Sequence, residues 1–331
     1  MWRNFVQNLF NKHMSLEPLY WDQDKRRIWI ITRSLLENNT YKRKKYGRKS
    51  KSRWPLFVHL AHTFGLILKT LKLYRRGHRN AKNIVVKEID ISFADLPESF
   101  DSYRILHLTD LHLDLIEGLE DIICARIKNL QYDLCVMTGD YREGIDGGFK
   151  KILSPMKKIV AAIKAKDGIL ATLGNHDTYL MVEHLEGMGI KILANETLII
   201  YRKNLRIAVT GLDDPHYYYT DQAVSSLEEE IKSFKIVLAH SPEMYDVAAD
   251  NDYNLYLCGH THGGQICLPG GIPIFTHLYS GKKFYQGLWS YANMKGYTSQ
   301  GCGTSAIPIR FNTQSEITII TLKKEALSHP G

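Results

Sequence analysis

The chain has 331 residues, 44% hydrophobic and 24% charged, a globular balance that excludes a mostly disordered or fibrous protein and leaves room for one large domain with an appendage or two ordinary ones. The formal charge of +8 conceals a division: through Asn83 there are 20 basic and 4 acidic residues, net +16, and the remainder is net −8. Five scattered cysteines (Cys124, Cys135, Cys258, Cys267, Cys302) with no CxxC pair exclude a disulfide framework and a cysteine-based zinc site, and suit a reducing compartment.

Residues 1–40 mix aromatics with charge and favour a helix or two. No apolar core run with a small-residue cleavage site is present there, so no secretory signal is expected. Residues 42–53, KRKKYGRKSKSR, form a dense basic run of low structural propensity. In the next stretch Phe57, Leu60, Ala61, Phe64, Ile67, Leu68 and Leu71 fall at helical spacing on one face. His59, His62, Thr63, Lys69 and Thr70 lie mostly opposite, and Leu66 and Leu73 interrupt the pattern. The run free of Lys, Arg, Asp and Glu, Trp54 to Leu68, covers roughly 22 Å as a helix, short of a hydrocarbon core of about 30 Å. It is too short to span a bilayer. A cationic amphipathic helix beside a basic run is the arrangement expected of an interfacial membrane anchor; the alternative is a helix packed on the body with a solvated polar face.

From Ile84 the pattern changes, dividing the chain into a basic extension, 1–83, and a body, 84–331. IVVKEIDISF alternates like an edge strand at Ile89, Ile91 and Phe93. Strands are expected at 104–108, 133–138, 168–173, 205–210, 235–239, 254–258 and 316–322, with helices at about 118–130, 149–166, 178–188 and 222–233. Strands alternating with helices indicate an α/β (α+β) body, whose chemistry gathers on loops past the strand C-termini.

Five of those strand ends carry metal-ligand residue types. They are Thr109-Asp110-Leu111-His112, Gly139-Asp140, Gly174-Asn175-His176-Asp177, His240, and Gly259-His260-Thr261-His262. Singly each has a bland explanation, a helix cap or a turn; in series they point to a two-metal centre. In extended backbone a D-x-H or H-x-H pair would aim both side chains at one face. Glycines at 139, 174 and 259 permit close backbone approach. Carboxylate, imidazole and amide without thiolate suit Mn, Fe or Zn. Two such ions clamp the attacking and leaving oxygens of a phosphoryl displacement.

The ordered blocks DLH, GD, GNHD, H and GHTH resemble the calcineurin-like metallophosphoesterase superfamily over about residues 100–325. The resemblance implies a four-layer fold, two β-sheets flanked by helices. It implies one divalent metal ion on Asp110, His112 and His262, a second on Asn175, His240 and His260, and Asp140 bridging them. A hydroxide held between the ions would be the nucleophile, with His176 assisting the leaving oxygen and Asp177 orienting the His176 imidazole. Tyr141-Arg142-Glu143 departs from the apolar or acidic residues often found after GD, which bears on substrate preference.

GHTHGGQICLPGG and the later YTSQGCGTSAIPIRF narrow the resemblance to a bacterial membrane-associated subgroup that includes UDP-2,3-diacylglucosamine diphosphatases of lipid A biosynthesis. Such an enzyme releases UMP and 2,3-diacylglucosamine 1-phosphate as a peripheral protein on the cytoplasmic, inner face of the bacterial inner membrane. Its partners would be the nucleotide-linked lipid and the anionic membrane surface. Arg310, Lys282 and Lys283 are candidate substrate contacts, while His107 and Cys258 read as packing residues and His184, His216 and His277 have no partner pattern. The alternative is a broad phosphodiesterase or nuclease whose basic arm holds nucleic acid by counterion release. The apolar face of the arm has no function in that case, and no specific nucleic acid is expected.

Overall fold

The computed structural model describes residues 23–38, 68–144 and 148–325, with short backbone pieces at 16–18, 44–45 and 48–49 and isolated helical residues at 59, 63, 65 and 66. Within the basic run the described pieces form a two-rung antiparallel ladder, β2 (Lys44–Lys45) with β3 (Arg48–Lys49).

The expected strands form because nearly continuous Val, Ile and Leu runs can be buried on both faces at once. In β5 (Arg104–Leu108) and β6 (Leu134–Thr138), Ile105, Leu134 and Val136 point into the core between the sheets. Leu106, Leu108, Cys135 and Met137 point to the outer helices. One sheet has six strands in the order β4 (Val85–Phe93), β17 (Glu316–Lys324), β5, β6, β7 (Ile169–Thr172) and β8 (Ile190–Ile192). The alternating segment at 85–93 is an edge strand, as expected.

The second sheet has seven: β1 (Leu16–Pro18), β9 (Glu196–Arg202), β10 (Leu205–Gly211), β11 (Phe234–Leu238), β12 (Leu255–Cys258), β16 (Met294–Thr298) and β15 (Gly287–Tyr291). In it β10, β11, β12 and β16 run parallel. In the first sheet β5 to β8 run parallel. The inner faces meet through Ile105, Val136 and Leu170 against Ile207, Ile236 and Leu257. Helices α3 (Leu119–Ile127), α4 (Lys150–Ala162) and α5 (Val182–Glu186) cover the first sheet. Helices α6 (Asp221–Leu227) and α7 (Tyr245–Asp250) cover the second. These are the four layers expected. Strands β8, β9, β15 and β16 were not anticipated.

The division at residue 83 is less clean than the charge pattern implied. Helix α1 (Gln23–Glu37) docks on the body by its polar face: Arg26 pairs with Glu186 at 2.5 Å and Glu196 at 2.9 Å, and Trp29 Nε1 donates to Asp213 at 2.8 Å. Its opposite face, Ile28, Ile31 and Leu35, is exposed. Helix α2 (Tyr74–Lys82) buries Gly77 and Ala81 against the segment before β17. Gly77 leaves no room for a Cβ, which would strike Ile309 and Phe311. Of the expected amphipathic face, Leu68 packs with Ile307 and Ile309 while Leu71 is exposed. Phe57, Leu60, Ala61, Phe64 and Ile67 lie outside the described residues. Among the described residues no helix is long and apolar enough to cross a membrane.

Candidate metal centre

The parallel strands of both sheets end at the same edge of the sandwich. There β5, β6 and β7 deliver residues 109–112, 139–140 and 174–177, and β11 and β12 deliver His240 and 259–262. The seven residues expected as ligands are buried, and six of them, all but Asn175, come together in clusters.

They form two lobes. Asp110, His112 and His262 place their donor atoms within 4.8 Å of one another, as do Asp140, His240 and His260. In the first, Asp110 Oδ1 lies 3.4 Å from His262 Nε2. In the second, His260 Nδ1 lies 3.2 Å from His240 Nε2. Asp140 Oδ2 joins them, 3.1 Å from His240 Nε2, 3.6 Å from His112 Nε2 and 3.9 Å from His176 Nε2.

The backbone is bent to achieve this. Asp110, His112, Asp140, His260 and His262 have φ of 52°, 40°, 56°, 75° and 50°, left-handed conformations that cost a non-glycine residue on the order of 1–3 kcal/mol each. Extended D-x-H and H-x-H segments are therefore the wrong local picture. The side chains converge through tight loops that the surrounding packing holds in place. A Cβ on Gly259 would fall inside the Asp110 carboxylate, and one on Gly174 inside that of Asp140, so these two glycines are required by close approach.

The His240 and His112 imidazoles are aimed by their second nitrogens. His240 Nδ1 lies 2.7 Å from Thr138 O, and His112 Nδ1 lies 3.0 Å from Arg142 O and 2.9 Å from the Glu143 carboxylate. With Nδ1–H donating outward, each Nε2 lone pair faces the lobe. His112 Nε2 and Asn175 Oδ1 are buried and make no hydrogen bond. Buried acceptors without donors, beside two carboxylates and three further imidazoles, fit divalent cations of intermediate hardness.

The electrostatics agree. Burial would raise Asp140, but His240, His176 and His112 pull it well below the usual carboxylate range, whereas burial raises Asp110. Burial would lower His240, but Asp140 holds it up to about 10; Glu143, Asp140 and Asp110 likewise hold His112 up to about 9. Burial and neighbouring imidazoles push His260 and His262 well down. In the metal-free protein the raised pair gives ion pairing that is complete below the ordinary histidine value of 6.5 and is lost as pH rises through about 9 to 10. Metal must displace those protons, so Mn titration near pH 7 is expected to release protons and to weaken as pH falls. Calorimetry in buffers of different ionisation enthalpy reads this; no buffer dependence would contradict it.

Asp177 and Arg310 are placed differently from expectation. The Asp177 oxygens accept from the backbone N–H groups of Asp140 at 2.7 Å, Gly174 at 2.8 Å and Tyr141 at 2.9 Å, tying the GD and GNHD loops together. The Nδ1 of His176 faces Glu143 O instead. Arg310 is fully buried, donating to the carbonyls of Gln300 at 2.5 Å, His262 at 2.8 Å and Gly303 at 2.8 Å. It braces the GHTH loop from behind. Lys282 and Lys283 are exposed, and Lys282 lines a cavity of about 420 Å³ with Pro273–Tyr279 and Tyr285. His107 hydrogen-bonds Thr138 at 2.8 Å, and the Cys258 thiol, raised by burial, meets Thr298 at 3.2 Å.

Three residues without a sequence assignment belong to the site. His216 and His277 lie against His260, with ring centroids at 4.4 and 5.5 Å, and Glu143 groups with His112 and His176. A signal for His216 was present: Leu212-Asp213-Asp214-Pro215-His216 follows β10, a sixth strand end of the same composition. Glu243 holds His216 Nδ1 at 2.8 Å.

The calcineurin-like phosphoesterase family model matches residues 103–264. The metallophosphoesterase YkuE of Bacillus subtilis, itself uncharacterized, is 32% identical over 256 residues, covering 72% of this chain and 86% of the relative. Phosphodiesterase YaeI of Escherichia coli is 29% identical over 233 residues, covering 66% and 82%. The uncharacterized metallophosphoesterase Cj0846 of Campylobacter jejuni is 27% identical, covering 84% and 73%. The matched segment carries the loops that build the two lobes, and the chain belongs to the calcineurin-like phosphoesterase family as a metal-dependent hydrolase.

Proposed function

We propose that this hydrolase cleaves the diphosphate of a nucleotide-linked lipid, UDP-2,3-diacylglucosamine, releasing UMP and 2,3-diacylglucosamine 1-phosphate at the inner face of the bacterial inner membrane. The single observation that carries the phosphoester chemistry is Asp140 Oδ2, which reaches from His240 in its own lobe to His112 in the other. Asp110, His112 and His262 would hold one ion, Asn175, His240 and His260 the second, and Asp140 both. Mn suits the set, as do Fe and Zn. Two ions, when bound, supply charge neutralisation at the phosphoryl oxygens and acidify the attacking water.

The chain's own residues do the rest. His176 is oriented by the Glu143 carbonyl, which leaves Nε2 on the Asp140 side, where it can hold a phosphoryl oxygen or deliver a proton to the leaving group. Asp177 keeps the two loops in register, so the distance between lobes survives substrate binding. The lipid-linked substrate is supported by the +16 arm joined to a −8 body, since an acidic body needs a cationic segment to stay at an anionic leaflet. A second reading, a phosphodiesterase of broad range, is favoured by the name of the Escherichia coli relative.

Incubation with Mn and UDP-2,3-diacylglucosamine is expected to yield UMP. Absence of UMP together with turnover of a simple phosphodiester would select the second reading.

A further inference from the structure

We propose that the hairpin of β13 (Cys267–Leu268) and β14 (Ile272–Pro273), together with the acid-free segment 68–82 that contains α2, forms one docking surface for an anionic lipid bilayer at the mouth of the metal centre. It deepens the lipid-substrate reading and rests on it only for the identity of what enters.

The hairpin turns at Gly270 and Gly271, with φ of 90° and 79°. On it and just beyond, Leu268, Ile272, Ile274 and Phe275 are 51%, 59%, 64% and 53% exposed. Leu268, Ile272 and Ile274, three large apolar side chains within seven residues and all more than half in water, are unusual on a surface with nothing to meet.

Its foot stands on the metal centre. The Phe275 ring lies 5.4 Å from His277, whose ring stacks on His260 at 5.5 Å. Its base is shared with the arm. Ile266, just before β13, packs with Leu68, Ile307, Ile309, Tyr74 and Phe311 in one small core, and Asn312 Nδ2 donates to Cys267 O at 2.8 Å. The arm segment and the hairpin are thus one unit, and beside Leu68 the arm exposes Leu66 and Leu71 by 60% and 61%.

The surrounding charge is of one sign. Residues 63–82 contain no Asp or Glu, and Lys69, Lys72, Arg75, Arg76 and Arg79 are exposed there. Lys282 and Lys283 are exposed near the other end of the hairpin. Apolar side chains interleaved with uncompensated cations fit a lipid interface, where the former enter the acyl boundary and the latter meet phosphates. A nucleic-acid backbone would use the cations and leave the leucines, isoleucines and phenylalanine in water. Docked this way, the cavity lined by Ile274, Phe275 and Lys282 opens toward the leaflet that holds a lipid-linked substrate.

The test uses the full chain and vesicles of phosphatidylcholine, with and without phosphatidylglycerol. Wild-type protein is expected to sediment with the anionic vesicles only, and Leu268→Asp/Ile272→Asp to lower that partition about tenfold or more. Hydrolysis of soluble bis(p-nitrophenyl) phosphate with Mn, and the melting temperature, should not change, because both residues lie at the exposed tip. Since the basic run can hold the chain to a vesicle by itself, Ile272→Trp provides a second readout: brominated lipid should quench its fluorescence beyond the wild-type level. Unchanged partition of the double variant with no added quenching overturns the proposal, as does complete release from vesicles by short duplex DNA. No substrate is present, so failure here is distinct from failure of the diphosphatase reading.

Discussion

Asp140→Ala is expected to lose bound metal and hydrolysis together, with kcat/KM falling on the order of a thousandfold or more. One oxygen of this carboxylate, Oδ1, is held by the His176 N–H at 2.9 Å, which leaves Oδ2 aimed between the lobes. Among the described residues this carboxylate reaches from His240 in one lobe to His112 in the other. Its removal takes the shared negative charge from both lobes at once. The fold should survive, because His240 and His112 can remain buried as neutral imidazoles on their Thr138 and Arg142 carbonyls. Elemental analysis and a phosphodiesterase assay on the folded variant decide it: two retained metal equivalents, or a normal rate, would refute the bridging assignment.

Arg33→Ala should destabilise the protein by about 3–5 kcal/mol, the range for stripping one partner from a buried ion pair. The residue lies in the basic arm, far in sequence from the catalytic blocks, yet its guanidinium is fully buried. It binds Asp213, Glu37 at 2.7 Å, Gly174 O at 3.2 Å and Asp177 O at 2.7 Å, and it covers the Tyr218 ring. Burial already holds Asp213 up to about 6 with that cation in place, so without it Asp213 titrates higher still and stands uncompensated near neutrality. The GNHD loop that presents Asn175 and His176 would lose its rear support. In a domain of this size the melting point should fall by roughly 10 °C. Arg33→Met with Asp213→Asn should recover part of it; a melting temperature unmoved by Arg33→Ala would remove α1 from the folded unit. For the same reason, deleting residues 1–83 removes the Arg33, Glu37 and α2 contacts along with any membrane anchor. Loss of sedimentation on deletion would not separate the two, and point substitutions on the exposed face do.

The legible parts of the fold were those where chemistry and geometry are local. A strand such as β6 must be apolar along its whole length because both faces are covered, and the run is visible without knowing what covers it. Strands β15 and β16 gave no such run. β15 is largely exposed and β16 is short and broken by Gly296, and Trp289 and Gly296 make sense only as a pair, since the indole occupies the space a Cβ at 296 would need. The stretch from Phe275 to Trp289 divides accordingly: Phe275 is exposed beside the cavity while Phe284 and Trp289 stack in the core of the second sheet. The ligand types at five strand ends were legible because each loop carries its own Asp or His next to its own strand. His216 carried the same strand-end signal after β10, and Glu143 follows Asp140 by three residues, but nothing local to either, or to His277, shows that His260 or His112 is its neighbour.

By itself the sequence determined the α/β class, the chemistry of the metal centre and the separation of a cationic arm from an acidic body, because residue type, period and order along the chain are sufficient for each. Only the tertiary structure decided which donor atom faces which lobe, that the ligand loops bend through left-handed backbone, and that Asp177 and Arg310 brace loops from within. It also decided that part of the arm is built into the enzyme. Those are contacts between residues tens to hundreds of positions apart, such as Arg33 with Asp213 or Leu68 with Ile309, and their partners are chosen by packing of the two sheets and not by any local pattern.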